Sequence, residues 1–288
     1  MKGRWRLALC TLLVMLLVGC AGPAQEEATI PILGVREMEY DTAYALDSDG
    51  DGETERVTLL AQYDTVSDWQ YAQALTLEVA WKDGSKVSLD GADQGGYGIA
   101  DFTRFAWLLD TEKGPCVITE FDYSSSDYVS QLYYYDAEQA VSMHTMGGFR
   151  VANASANGIM FCCHVLALGS RMGEKRYALS AEHPFVPIPI DDMWTWTLDA
   201  DDEFARPGKL VRPLRVELSG ADGTYTTAEL PVGTIVYPTA TDTRSMIWFV
   251  TKDGRKGRIG IVQEFVRDEP LIEGEPENDW FDDLAYYD

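Results

Sequence analysis

The chain has 288 residues, 47 of them Asp or Glu and 23 Lys or Arg, a formal net charge of −24 at neutral pH. That acidic excess argues against nucleic acid, whose binding rests on Lys and Arg contacts to phosphate, and it suits solubility and cation binding. With 46% hydrophobic residues and five cysteines the chain can bury a sizeable core, and a framework of many disulfides is excluded.

Lys2, Arg4 and Arg6 precede an apolar run over residues 7–18, the layout of a secretory signal over residues 1–19. The run is too short to span about 30 Å of hydrocarbon as a helix. It ends in Leu17-Val18-Gly19-Cys20, which resembles the lipobox of bacterial lipoproteins. That resemblance implies a Cys20 thiol diacylated before cleavage leaves Cys20 as the N-terminus. The protein would then be anchored to the cell membrane on its extracytoplasmic side. Two or three acyl chains suffice for this, since each buried methylene contributes ~0.8 kcal/mol. Residues 20–29 are small and polar and read as a tether. Loss of residues 1–19 removes three basic residues and no acidic one, so −24 becomes −27.

A definite metal chemistry is implied by Asp47-Ser48-Asp49-Gly50-Asp51-Gly52-Glu53-Thr54-Glu55. Asp47, Asp49 and Asp51 place carboxylates at loop positions one, three and five. Glu53 offers its carbonyl at seven and Glu55 a carboxylate at nine, a set of oxygens suited to a structural Ca²⁺. Gly50 and Gly52 permit the sharp turn. Position twelve, where an EF-hand has a bidentate Glu, is Thr58, and the following residues 57–63 favour a strand rather than a helix. The loop therefore resembles the D-x-D-x-D-G-x-x-D/E hairpin of integrin-type (FG-GAP) repeats. A single copy does not make a propeller. The competing reading is an acidic surface turn, since Asp and Gly are common turn residues.

The rest of the chain is expected to be mainly β: an antiparallel domain over residues 30–190, a linker over 191–212, and a small barrel with an acidic tail over 213–288. In the first domain, strands are expected over residues 34–46, 56–63, 74–81, 85–89, 116–123, 130–135, 149–152, 159–168 and 176–179. Residues 99–109 are expected to form a short helix. Pro184, Pro187 and Pro189 make an extended segment before the boundary.

From residue 214, five short strands are expected, with turns at Asp222-Gly223 and Asp253-Gly254. The Trp248–Val262 hairpin resembles the last hairpin of bacterial SH3-like barrels, and Leu230-Pro231-Val232-Gly233-Thr234 resembles a turn before a middle strand of that family. Arg258 stands where that family usually has an aromatic. The aromatics of the tail, Trp280, Phe281, Tyr286 and Tyr287, either pack back on the barrel or stay mobile.

Two constellations invite functional readings. On a strand, Cys162 and His164 share one face and Cys163 takes the other, but a zinc site needs further ligands at suitable spacing, so a buried strand is expected. A pairing of Cys116 with Cys162 or Cys163 stays open. Tyr123, Tyr128, Tyr133, Tyr134 and Tyr135 suit either a carbohydrate-stacking platform or core and cross-strand pairs, the commoner use. No G-x-S-x-G elbow, S-x-x-K or P-loop is present.

The expectation is a lipid-anchored extracytoplasmic binding or scaffold protein, without catalytic residues, that meets cell-wall glycan, peptide or another envelope protein. The alternatives are an envelope hydrolase acting on glycan or peptide through a carboxylate pair, and a calcium-responsive envelope sensor.

Overall fold

The structure, a computed structural model, describes residues 28–47, 52–64, 71–80, 84, 86–91, 101–102, 105–123, 127–135, 141–181, 186–196 and 206–286. Among these the protein is mainly β, and every strand pair is antiparallel; the one helical piece is a single 3-10 turn, Glu277–Asp279. No helix of the described residues is long and apolar enough to cross a membrane.

The first part of the chain supplies β1 (Thr29–Ile30), β2 (Ile32–Glu39), β3 (Ala43–Leu46), β4 (Glu55–Asp64), β5 (Tyr71–Ala80) and β6 (Lys86–Gly91). It continues with β7 (Asp101–Phe102), β8 (Phe105–Thr111), β9 (Gly114–Tyr123), β10 (Asp127–Tyr135) and β11 (Val141–Gly147). Strands β3-β4-β5-β6 form one sheet, and β11-β10-β9-β8-β2, with β7 on β9, form another. Alternate residues of both sheets meet in one buried cluster: Val57 and Leu59 from β4, Leu75 and Leu77 from β5, Leu108 from β8 and Tyr133 from β10.

Two expectations are corrected here. The strand expected over residues 34–46 is broken: Asp41 sits at φ 60°, and the chain leaves one sheet for the other there. Asp tolerates the left-handed region. Its backbone N–H donates to the Leu59 carbonyl at 2.9 Å and its carboxylate accepts the Ala61 N–H at 2.9 Å, fixing the crossover to β4. The helix expected over residues 99–109 is absent among the described residues, where β7 and β8 stand instead. Ala106 and Leu108 enter the cluster just named, while Leu109 and Trp107 face a second one on the other side of the sheet. A strand buried on both faces is apolar throughout, and such a run carries no period to separate it from a helix.

The second half supplies β12 (Arg150–Ser155), β13 (Gly158–Leu166), β14 (Ser170–Ser180), β15 (Pro187–Pro189), β16 (Trp194–Thr195) and β17 (Gly208–Leu210). Then come β18 (Leu214–Ser219), β19 (Tyr225–Leu230), β20 (Ile235–Thr241), β21 (Met246–Thr251) and β22 (Lys256–Gly260), the five strands expected there. The chain ends with β23 (Leu271–Ile272), β24 (Glu275–Pro276) and β25 (Phe281–Asp282). Hydrogen bonding runs in the order β12-β13-β14-β16-β20-β21-β22-β18-β19, with β1 and β15 on β14 and β17 between β20 and β25. Residues 191–212 thus contribute two strands to this sheet, and Trp194 is buried in its core.

One face of β13 ties the halves together. Ile159 and Phe161 pack against the far side of the β2-β8-β9-β10 layer, and Cys163 and Val165, next on the same face, enter the C-terminal cluster with Leu214, Phe249 and Ile259. Phe149 spans both clusters, with its ring 5.9 Å from Trp194 and edge-on to Phe161 at 6.2 Å.

Candidate functional site

The Asp47–Glu55 loop joins β3 to β4. Leu46 pairs with Glu55 at the mouth of this hairpin. Asp47 is exposed, and its Oδ2 accepts the Gly52 N–H at 3.0 Å. Gly52 has φ 86° with open space around it, so the bend itself is what requires glycine. Glu53 is exposed, while Glu55 is only 3% exposed, on the same face of β4 as Val57 and Leu59.

Asp49 and Asp51 lie outside the described residues. Among the described residues no three acidic, His or Cys side chains stand together as a metal cluster. The described part of the loop is a strand-loop-strand frame with a glycine at the sharp bend and acidic residues at both ends. Cys20, the expected lipidation site, also lies outside the described residues.

Cys162-Cys163-His164 is a buried strand. Cys163 is 1% exposed and Cys162 6%. Burial pushes the Cys162 thiol up to about 11 and that of Cys163 to about 12, and raises Cys116 well above the ordinary value. All three are free thiols, and held protonated at neutral pH they are poor nucleophiles. Tyr133 is a core residue whose hydroxyl donates to Gln131 Oε1 at 2.8 Å, and Tyr134 is half-buried. Of the other tyrosines of that stripe, Tyr123, Tyr128 and Tyr135, no side chain is described.

Sequence reasoning missed the most strongly organised polar group, Glu277. Its side chain is fully buried, and it accepts the N–H groups of Leu168 at 2.6 Å and Gly169 at 2.9 Å and the Tyr286 hydroxyl at 2.8 Å. Desolvation raises its pKa, against those three hydrogen bonds, which favour the carboxylate. Leu168, at φ 56°, and Gly169, at φ 87°, form the left-handed turn between β13 and β14. The carbonyl of Leu168 accepts the buried Arg171 guanidinium at 2.7 Å, which also donates to the carbonyls of Ser170 and Arg206. The tail is therefore packed down: Ser170 N–H donates to the Ala285 carbonyl at 2.7 Å, and Trp280 and Phe281 are buried. Nothing in the sequence sets Glu277 apart from the other acids around it.

Another buried carboxylate, Glu120, joins two layers by accepting the Val151 N–H at 2.9 Å and meeting Arg150 at 3.2 Å. In the expected SH3-like hairpin, Gly254 turns at φ 86°. Arg258 pairs with Glu217 and stacks 4.1 Å over the Tyr225 ring, a cross-strand ion pair on the hairpin. Compared with known proteins, the chain matches no family model, no curated protein and no solved structure.

Proposed function

We propose that this chain is a lipid-anchored, extracytoplasmic binding or scaffold protein in which the Asp47–Glu55 loop holds a structural calcium ion. The observation that carries the calcium reading is the hairpin frame: Leu46 opposite Glu55, with Asp47 drawn onto the Gly52 N–H inside the loop. Asp47, Asp49, Asp51 and Glu55 supply carboxylates and Glu53 its carbonyl. The ion would neutralise the negative charge of the loop and fix the β3–β4 turn; it is a support and takes no part in a reaction. The anchor rests on the basic start, the apolar run and Cys20. The C-terminal strands β18 to β22 are read as an SH3-like barrel, presented on the outer side of the membrane to glycan, peptide or an envelope protein.

The test is a thermal melt of residues 21–288 in chelator and in millimolar calcium. A site with affinity near 10⁻⁴ M stabilises by roughly 1–2 kcal/mol at that concentration, a rise in Tm of about 2–8 °C for a chain of this size. The rise should vanish in Asp49→Ala/Asp51→Ala. An unchanged melt reduces the loop to an acidic turn. The binding role is checked by retention on purified cell wall and by recovery of one reproducible envelope partner; loss of both refutes it.

A further inference from the structure

The β13–β14 hairpin gathers on one face soft donor atoms that lie apart in the sequence. Cys163 and Val165 enter the C-terminal cluster, so Cys162 and His164 point to the opposite face of β13. Across from them on β14 stand Glu174, opposite Cys162, and Met172, opposite His164, in a ladder without a bulge. How near these side chains come follows from the backbone. Leu166 N–H donates to the Val266 carbonyl and Ser170 N–H to the Ala285 carbonyl, both outside the hairpin, so Leu166–Ser170 is a non-hydrogen-bonded pair. Bonded and non-bonded pairs alternate in an antiparallel ladder, which makes His164–Met172 and Cys162–Glu174 non-bonded as well. Such pairs have the closest side chains, with Cβ atoms about 4.5–5.5 Å apart, and the diagonal from Cys162 to Met172 is about 7–8 Å, within reach of a long side chain.

A thiol, an imidazole and a thioether therefore share one patch. Met172 is unbranched, with three rotatable bonds that let its sulfur reach toward the other two. It is exposed, while His164 is half-buried and Cys162 is buried, so the patch opens to solvent on the methionine side. Glu174 completes no hard-donor set, since among the described residues no three of His, Cys, Asp and Glu stand together as metal ligands. That leaves a thioether as the third donor. Zn²⁺ takes thiolate, imidazole and carboxylate, four of them in a structural site, whereas thiolate with thioether suits a soft ion such as Cu(I). The surroundings favour a cation: Glu174 stands on one side of Cys162, and Arg150, on the other side, has its charge met by Glu120 at 3.2 Å.

We propose that Cys162, His164 and Met172 form a three-coordinate site for Cu(I). On binding, the Cys162 S–H bond breaks, an S–Cu bond forms and the proton leaves to solvent; the ion stays Cu(I) and nothing is oxidised or reduced. The thiolate neutralises the ion, and the imidazole and thioether fill its other two positions. The site needs neither the calcium loop nor the anchor.

The test is an anaerobic titration of residues 21–288, which retain every described residue and leave out Cys10 and Cys20, with Cu(I) held by a competing chromophoric chelator. The chain should take up one equivalent, and X-ray absorption should give a shell of two sulfurs and one nitrogen. Met172→Leu, a volume-conserving change at an exposed position, should keep the melt and weaken Cu(I) binding about tenfold or more. Cys162→Ser should abolish uptake, and Cys163→Ala should leave it unchanged. A chain that takes no Cu(I) from the chelator overturns the proposal. So does a Met172→Leu or Cys162→Ser chain that binds like wild type, a Cys163→Ala chain that folds and no longer binds, or a shell of sulfur alone.

Discussion

Replacing Glu277 by Ala strikes at the contact that holds the C-terminal tail to the turn between β13 and β14. The change leaves the Leu168 and Gly169 N–H groups facing an apolar methyl in a fully buried site. Each stranded donor costs about 1–3 kcal/mol, and the removed carboxylate gives back part of its own desolvation. The net loss should be about 2–4 kcal/mol. Urea unfolding followed by tryptophan fluorescence reads it as a lower midpoint at unchanged slope. Tyr286→Phe removes one hydrogen bond and should lose about 1 kcal/mol. The pH dependence has a definite sign. Because the folded-state pKa of Glu277 is raised, the folded chain holds this proton more firmly than the unfolded one. Its contribution is therefore fully present below the ordinary carboxylate value and is lost as pH rises through the raised one. Glu277→Gln should remove that component from the stability profile. A Glu277→Ala loss below about 1 kcal/mol would refute the claim that the buried acceptor organises the turn.

Gly169→Ala should cost more than Gly254→Ala, although both glycines are left-handed: a Cβ on Gly169 would lie 2.5 Å from the Ala285 carbonyl oxygen, whereas one on Gly254 meets nothing. The second carries only the conformational cost of about 1–2 kcal/mol, and equal melting losses would remove the tail contact from the account. Glu120→Ala strands the Val151 N–H between two layers and should destabilise by about 1–3 kcal/mol in urea melts. Cys116, Cys162 and Cys163 should be slow toward a thiol reagent at pH 8 in the folded chain and fast in denaturant, since burial holds all three protonated; fast native labelling would contradict the buried strand.

Local chemistry was legible where it acts over a few residues. The β-branched run after the loop reads as β4, and the Asp253-Gly254 turn sits between β21 and β22. Glycine at position 52 suits the bend it makes. The five strands from residue 214 onward follow from alternation and turn residues, most clearly in β20, β21 and β22, where buried residues alternate with more exposed ones. Failure came where burial is two-sided or where a strand changes sheets: β8 looked helical because both its faces are apolar, and the break at Asp41 is enforced by hydrogen bonds to Leu59 and Ala61, on strand β4 of another sheet.

What the sequence alone determined is the chemical inventory: an acidic, strand-rich chain with an Asp- and Gly-rich stretch over residues 47–55 and an apolar run ahead of Cys20, all of it set by neighbouring residues. Only the tertiary structure decided that Glu277 lies in the interior beside Leu168 and Gly169, that Arg258 covers Tyr225, and that one face of β13 is shared by two cores. Those outcomes depend on which distant segments desolvate one another, and no local pattern of charge or hydrophobicity carries that information.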